Sequence, residues 1–399
     1  MNKRISVGVA AALVFLAMAV TATVSVIAAM HLFDSKVISV KSTAATYDKL
    51  YEMNTIVSEN FYYDVDANAT KDTVINGYIA GLNDPATEYL TAEQIAARNA
   101  EKTGLVISTG LVCAKDPVSG YLAVSNVLKG SSAEAADLIN TDVIISIDGI
   151  NVAPLDEEAA LELLEGDEET KVSVTYTRDS VESTVELTRT KLTAASVISG
   201  SDGDYYYIRI KTFCDTTADQ LAEAIAAADD LESKGIILDL RDTAGGNDIS
   251  LAAEILDKFL PEGPTIYADY GNGELTEIGK SDSRSVEIPV VVLVNSRTSG
   301  YSEIVAAGLS KSQNTSIVGN TTAGRGTLQE LYTMTDGSGI NLTVAMLYIS
   351  DQTSIDMIGV KPEYELDAGE GFTLTDAIPD NVNDVQFRRA EVVLESMLK

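Results

Sequence analysis

The chain opens with Lys3 and Arg4, and no further charged residue appears until Asp34, so residues 5–33 form one uncharged, mostly apolar run. About 20 apolar residues span a bilayer as a helix, and this run is longer. It predicts a transmembrane anchor, with the leading positive charges inside and the bulk of the chain outside the cytoplasm. A cleaved signal peptide is the alternative: its apolar stretch is usually about 7–15 residues, and Ala28-Ala29 leaves a processing site open. Beyond Asp34 the rhythm becomes helical. Leu50, Met53, Ile56 and Val57, then Val74, Ile75, Tyr78 and Ile79, recur at helical spacing until Asn83-Asp84-Pro85 breaks the pattern.

Residues 103–191 change character again. Short apolar runs at 104–107, 121–124, 143–147, 172–176 and 185–187 predict strands, with a turn at Asp148-Gly149 and a helix over 157–164. From Tyr205 strands and helices alternate. A strand at 207–210 precedes a helix with Leu221, Ile225, Ala228 and Leu231 on one face. A strand at 236–240 leads into the turn Thr243-Ala244-Gly245-Gly246 and a helix carrying Ile249, Ala253 and Leu256. A strand at 290–294, a helix at 303–309 and a short strand at 317–318 follow, and residues 385–398 read as a closing helix. Such alternation predicts an α/β domain with a largely parallel sheet. The expected partition is an anchor (1–33), a helical region (34–102), a strand-rich module (103–191), an α/β core (192–370) and a C-terminal helix (371–399).

Composition narrows the chemistry. Among 399 residues, 28 Lys and Arg face 60 Asp and Glu, a net charge of −32, the wrong sign for a nucleic-acid binder. His31 is the only histidine and borders the apolar run, so a Ser-His-Asp or Cys-His mechanism has no usable imidazole. Cys113 and Cys214 are the only thiols, too few for clustered zinc ligation. They read as small core residues, or as one disulfide. No metal and no cofactor is expected. The stretch from Gly319 to Thr327 superficially resembles a phosphate-binding loop, but Arg325 and Gly326 stand where its lysine and Ser/Thr belong.

The same stretch fits a different pattern. Residues 130–138, Gly-Ser-Ser-Ala-Glu-Ala-Ala-Asp-Leu, resemble the GSPAExAGL segment of the PDZ domain in the carboxyl-terminal processing (tail-specific) peptidases, and residues 143–149 resemble its following strand and turn. Residues 238–246, Leu-Asp-Leu-Arg-Asp-Thr-Ala-Gly-Gly, are similar to that family's LDLRxNPGG turn. Residues 302–306 are similar to the end of its SASASEI segment. Tyr348-Ile349 and Gly359-Val360-Lys361-Pro362-Glu363 are similar to its closing motif. The matches fall in family order across residues 45–398. The resemblance implies an α/β peptidase core of the ClpP/crotonase type with an inserted PDZ-like domain, after an N-terminal helical segment and the transmembrane helix.

It also implies a serine nucleophile and a neutral lysine base. A lysine of depressed pKa suits a chain without a usable histidine. The aligned positions carry neither: Gly300 stands at the nucleophile and Arg325 at the base, 25 residues apart as in the family, while Gln329 is kept. Glycine has no attacking atom, and arginine, with a pKa above about 12, stays protonated at neutral pH. Ser299 and Ser302 flank Gly300 as substitute nucleophiles, or serve as helix-start residues with Ser302 as N-cap. Gly245 and Gly246 are the expected oxyanion or peptide-binding turn, with Ala244 in place of the family's proline. Gly104, Leu105 and Val106 are the expected carboxylate-binding loop of the PDZ-like module.

The expectation is a single-pass, extracytoplasmic member of this peptidase family that has lost catalysis and binds peptides or unfolded protein C-termini. The alternatives are an active serine peptidase using Ser299 or Ser302, and a structural partner in a homo- or hetero-oligomer with a related peptidase.

Overall fold

The computed structural model describes residues 8, 18, 21 and 45–399, except 117, 247, 283, 284, 370, 371, 376, 377 and 380–382. The expected membrane anchor therefore lies outside the described residues, apart from Gly8, Met18 and Thr21. Among the described residues no helix is long and apolar enough to cross a membrane. The chain divides into two units, 1–77 and 78–399. In the first, residues 45–60 are helical, with Tyr51 and Ile56 exposed.

In the second unit the α/β core is a six-stranded sheet. Val197–Asp202 runs antiparallel to Tyr205–Ile210, and the following neighbours Gly235–Asp239, Val290–Val294, Thr315–Gly319 and Tyr364–Glu365 are all parallel. Alternate residues of a strand point to opposite faces, and here both faces are covered. Tyr206, Ile208, Leu238, Val292 and Val294 pack with the helices Thr217–Asp230, Ile249–Phe259 and Tyr301–Leu309. Tyr207, Ile237, Val291 and Leu293 pack on Phe387, Ala390 and Leu394 of the C-terminal helix Val385–Met397. That two-sided burial explains why Val290–Val294 is an unbroken apolar run.

A second sheet is antiparallel: Glu88–Leu90, Gly339–Ile349, Gly263–Asp269 and Leu275–Ser281, with Thr327–Thr333 pairing Gly339–Ile349 from the side. Glu88–Leu90 pairs with Gly339–Asn341, so part of the segment read as an N-terminal helical region is a strand of the core. The strand-rich module has its own apolar cluster, centred on Leu122, Ile144, Val174 and Leu187. Its sheet runs in the order Leu111–Lys115, Leu122–Val127, Val143–Ile147, Lys171–Arg178, Val181–Thr188. Cys113 sits in this module and Cys214 in the core, both as free thiols.

Candidate functional site

Gly300 is held in a conformation that few other residues adopt. It has φ +65° and ψ −132° and forms the N-cap of Tyr301–Leu309, so the cap is not Ser302. A Cβ built there meets only Gly245 N, at 3.8 Å, leaving open space for a side chain. The conformation is set by Glu303, which is fully buried three residues on. Its Oε2 accepts the Gly300 N–H at 2.9 Å and the Arg325 N–H at 2.8 Å. Its Oε1 accepts the Gly324 N–H at 2.6 Å and the Thr322 hydroxyl. One carboxylate thus ties together the two loops that carry positions 300 and 325. The backbone amides that a phosphate-binding loop would turn toward a ligand are used internally.

The loop at 322–326 is clamped from its other side as well. Val360 N donates to Thr322 Oγ1 at 2.8 Å, and Met357 N donates to Gly324 O at 2.9 Å. A Cβ on Gly326 would lie 2.6 Å from Asp356 N, so only glycine fits. The Arg325 side chain, by contrast, is exposed and has no hydrogen-bond or ion-pair partner among the described residues. Gln329 is packed into the second sheet. Its Nε2 donates to Thr327 Oγ1 and Thr343 Oγ1, both at 2.8 Å, and its N–H donates to the buried Tyr301 hydroxyl at 3.2 Å.

The glycine turn presses on the start of the Tyr301–Leu309 helix. A Cβ at Gly245 would lie 2.2 Å from the Tyr301 and Ser302 nitrogens. The Gly245 N–H donates to Ser299 O at 2.9 Å and is not free for an oxyanion, whereas Gly246 is exposed with φ +66°. Ser302 is fully buried, and its hydroxyl donates to Thr243 O at 2.7 Å and to Ser299 O at 2.8 Å. The hydroxyl is thus held by two backbone carbonyls. Ser299 is half-buried.

Gly245, Gly246, Ser299, Gly300, Arg325 and Gln329 line one cleft of about 580 Å³, which brings the expected core residues except Ser302 together. Lys102 also lines it, but its ammonium donates to Asp248 at 2.9 Å. That hydrogen bond holds its pKa above the ordinary lysine value, the opposite of what a general base needs. Lys311, bonded to Asp351 at 2.9 Å, is not part of the cleft wall. No group of three or more His, Cys, Asp or Glu among the described residues is arranged to hold a metal ion.

Gly104, Leu105 and Val106 lie outside the main sheet of the PDZ-like module. Gly104 is the left-handed C-cap of the helix Ala92–Thr103, and a Cβ there would lie 2.6 Å from Cys214 Sγ. Leu105 and Val106 belong to the strand Leu105–Ser108, already paired with Thr190–Thr193. The module's main sheet ends on two edge strands, Leu111–Lys115 and Val181–Thr188; the first starts after Gly110 and packs near the helix Glu157–Glu162. Sequence reading missed both this strand and Glu303. A helix-like 92–103 segment followed by glycine was a readable C-cap signal, whereas the donors to Glu303 come from residues up to 22 positions away.

These features define a PDZ-coupled α/β peptidase fold. Residues 204–366 match peptidase family S41, and residues 123–178 match a PDZ domain. The carboxy-terminal processing protease CtpA of Bacillus subtilis is 31% identical over 350 residues, covering 86% of this chain and 74% of that protein. A carboxyl-terminal-processing protease of Synechocystis is 30% identical over 298 residues, covering 73% of this chain and 70% of that protein. In fold, an S41 protease candidate from Bacteroides fragilis superposes with a TM-score of 0.52 at 17% identity, covering 85% of this chain and 92% of that one. The chain belongs to the carboxyl-terminal processing proteases of peptidase family S41.

Proposed function

We propose that this chain is a non-cleaving member of its family that binds peptides or unfolded protein C-termini. The observation that carries this reading is Gly300: the open space at the nucleophile position has no hydroxyl to occupy it. An arginine side chain is not a proton acceptor in water, so position 325 offers no general base. The Ser302 hydroxyl is already a donor to two carbonyls, and Lys102 is stabilised as a cation. Peptide binding has two places: the cleft, and the Leu111–Lys115 edge, where an extended peptide adds a strand by main-chain hydrogen bonds. The test is incubation of the purified full chain with unfolded substrates, with mass spectrometry of the products. Intact substrates are expected. Turnover that disappears in Ser299→Ala would overturn the reading.

The membrane assignment belongs to the same proposal and rests on the uncharged run at 5–33 behind Lys3 and Arg4. The protein is a single-pass membrane protein with its PDZ-like module and core outside the cytoplasm. N-terminal sequencing of membrane-purified protein should recover residues before Asp34. A mature start near Met30 would show cleavage instead.

A further inference from the structure

We propose that Arg325 makes the cleft a receptor for the terminal carboxylate of a bound polypeptide; this rests on the non-cleaving reading above. With glycine at 300, the space of the missing side chain lies open beside Gly245. Arg325 stands at the same cleft, and its backbone is joined to that of Gly300 through a single oxygen of Glu303. The loop is thus fixed while the guanidinium is exposed, charged and unpartnered among the described residues. The other two cations of the cleft wall are already paired: Lys102 with Asp248 at 2.9 Å and Arg98 with Glu88 at 2.7 Å. Arg325 is therefore the one positive group of the described cleft wall without an ion pair.

A guanidinium offers parallel N–H groups that match a carboxylate bidentately, which a lysine ammonium does not. The replacement at 325 is thus a loss as a base and a gain as an anion receptor. A side-chain carboxylate presents the same chemistry as a chain terminus. Glu101, Asp215 and Glu254 line the cleft as well and repel acidic side chains along a bound segment. The ligand is accordingly a chain end with neutral or basic residues before its terminal carboxylate.

The test uses the full-length protein in detergent and a short apolar-basic peptide with a photo-crosslinker next to its last residue. The peptide is made as the free acid, as the C-terminal amide, and as the amide with one internal Glu. Crosslinks are mapped by mass spectrometry, and affinity is followed by fluorescence anisotropy. The free acid should crosslink within residues 298–329. Amidation, or Arg325→Gln, should weaken that capture about tenfold, with Arg325→Lys between. Crosslinks on the Leu111–Lys115 edge should survive Arg325→Gln. Cleft capture indifferent to amidation and to Arg325→Gln would overturn the carboxylate receptor while leaving peptide binding intact. Equal capture of the Glu-containing amide would overturn the choice of a chain terminus. Capture confined to the PDZ-like edge would also overturn it, without touching the non-cleaving reading. Cleavage of the peptide by the unmodified protein would instead remove that reading itself.

Discussion

Gly300 and Arg325 donate their backbone N–H groups to the same atom, Glu303 Oε2, at 2.9 and 2.8 Å. Positions 300 and 325 are therefore held together through backbone donors that no side-chain change at either position removes. Glu303→Gln tests how much of the local structure hangs on this arrangement. An amide retains one acceptor oxygen and turns its NH2 toward groups that are themselves donors. With four donors converging in a fully buried site, we expect a loss of about 2–4 kcal/mol in unfolding free energy. A denaturant midpoint unchanged by the substitution would show that the carboxylate is not the clamp.

On the proposed non-cleaving reading, Gly300→Ser with Arg325→Lys supplies the serine and lysine that the family resemblance implies at these positions. The Cβ at 300 meets nothing closer than 3.8 Å, so the side chain fits, but φ +65° is unfavourable for serine and costs about 1–3 kcal/mol. A lysine at 325 gives a titratable amine in place of the guanidinium, and at this exposed position only a bound substrate would desolvate it. Neither single variant should cleave an unfolded substrate, because each lacks the partner of the dyad. The double variant should gain measurable cleavage, limited by the Gly245 N–H being engaged with Ser299 O in place of an oxyanion. A stable but inert double variant would show that the loss extends beyond these two side chains.

How much of this was readable beforehand follows from where each signal lies. Val143–Ile147 and Val290–Val294 are predicted to the residue because they are unbroken apolar runs. Leu111–Lys115 escapes because Cys113, Ala114 and Lys115 carry no strand-like alternation, and its pairing with Leu122–Val127 is irregular at Cys113. The antiparallel sheet holding Gln329 escapes too: Thr327–Thr333 buries only Leu328 and shows Glu330, Leu331 and Tyr332 to solvent. The aligned spacing of 300 and 325 locates the cleft, but Glu303 reads only as part of a motif. Its function as a shared acceptor exists only once the helix start and the 322–326 loop meet in space.

In the PDZ-like module, acid should weaken the joint between Asp142 and Arg178. Asp142 is fully buried and accepts Arg178 Nε at 2.6 Å and Nη2 at 2.7 Å, and the Ile139 N–H at 2.9 Å. Burial opposes its charge, but Arg178 and Ile139 outweigh that and hold its carboxyl below the ordinary 3.8. A folded pKa below the unfolded one means stability that is present above 3.8 and lost as pH falls through the folded value. Asp142→Asn should therefore cost about 1–3 kcal/mol near neutral pH, with the gap to the unmodified protein narrowing below about pH 4. Thermal unfolding across that range checks it. A gap that stays constant or widens in acid would contradict the assignment.

The largest effect is expected at Arg241, which is 1% exposed and fastens the C-terminal helix to the strand leading into the glycine turn. Its Nε and Nη2 bind Asp239, the latter at 2.6 Å; Nη2 and Nη1 bind Asp384 at 2.7 and 3.0 Å; Nη1 also reaches Gln386 at 3.1 Å. Asp384 in turn caps Val385–Met397 by accepting the Gln386 and Phe387 N–H groups, and Asp239 accepts the Tyr207 hydroxyl at 2.9 Å. Removing the cation leaves two buried carboxylates facing one another without compensation. Arg241→Met should thus cost about 3–5 kcal/mol, more than a typical core truncation of similar volume. Changing Asp239 and Asp384 to Asn in the same chain should recover part of that loss, since the repelling charges are then gone. Amide exchange over Val385–Met397 should quicken in Arg241→Met and slow again in the triple variant. Were Arg241→Met as stable as the unmodified chain, Phe387 and Leu394 packing on the sheet would be holding the helix without the ion network.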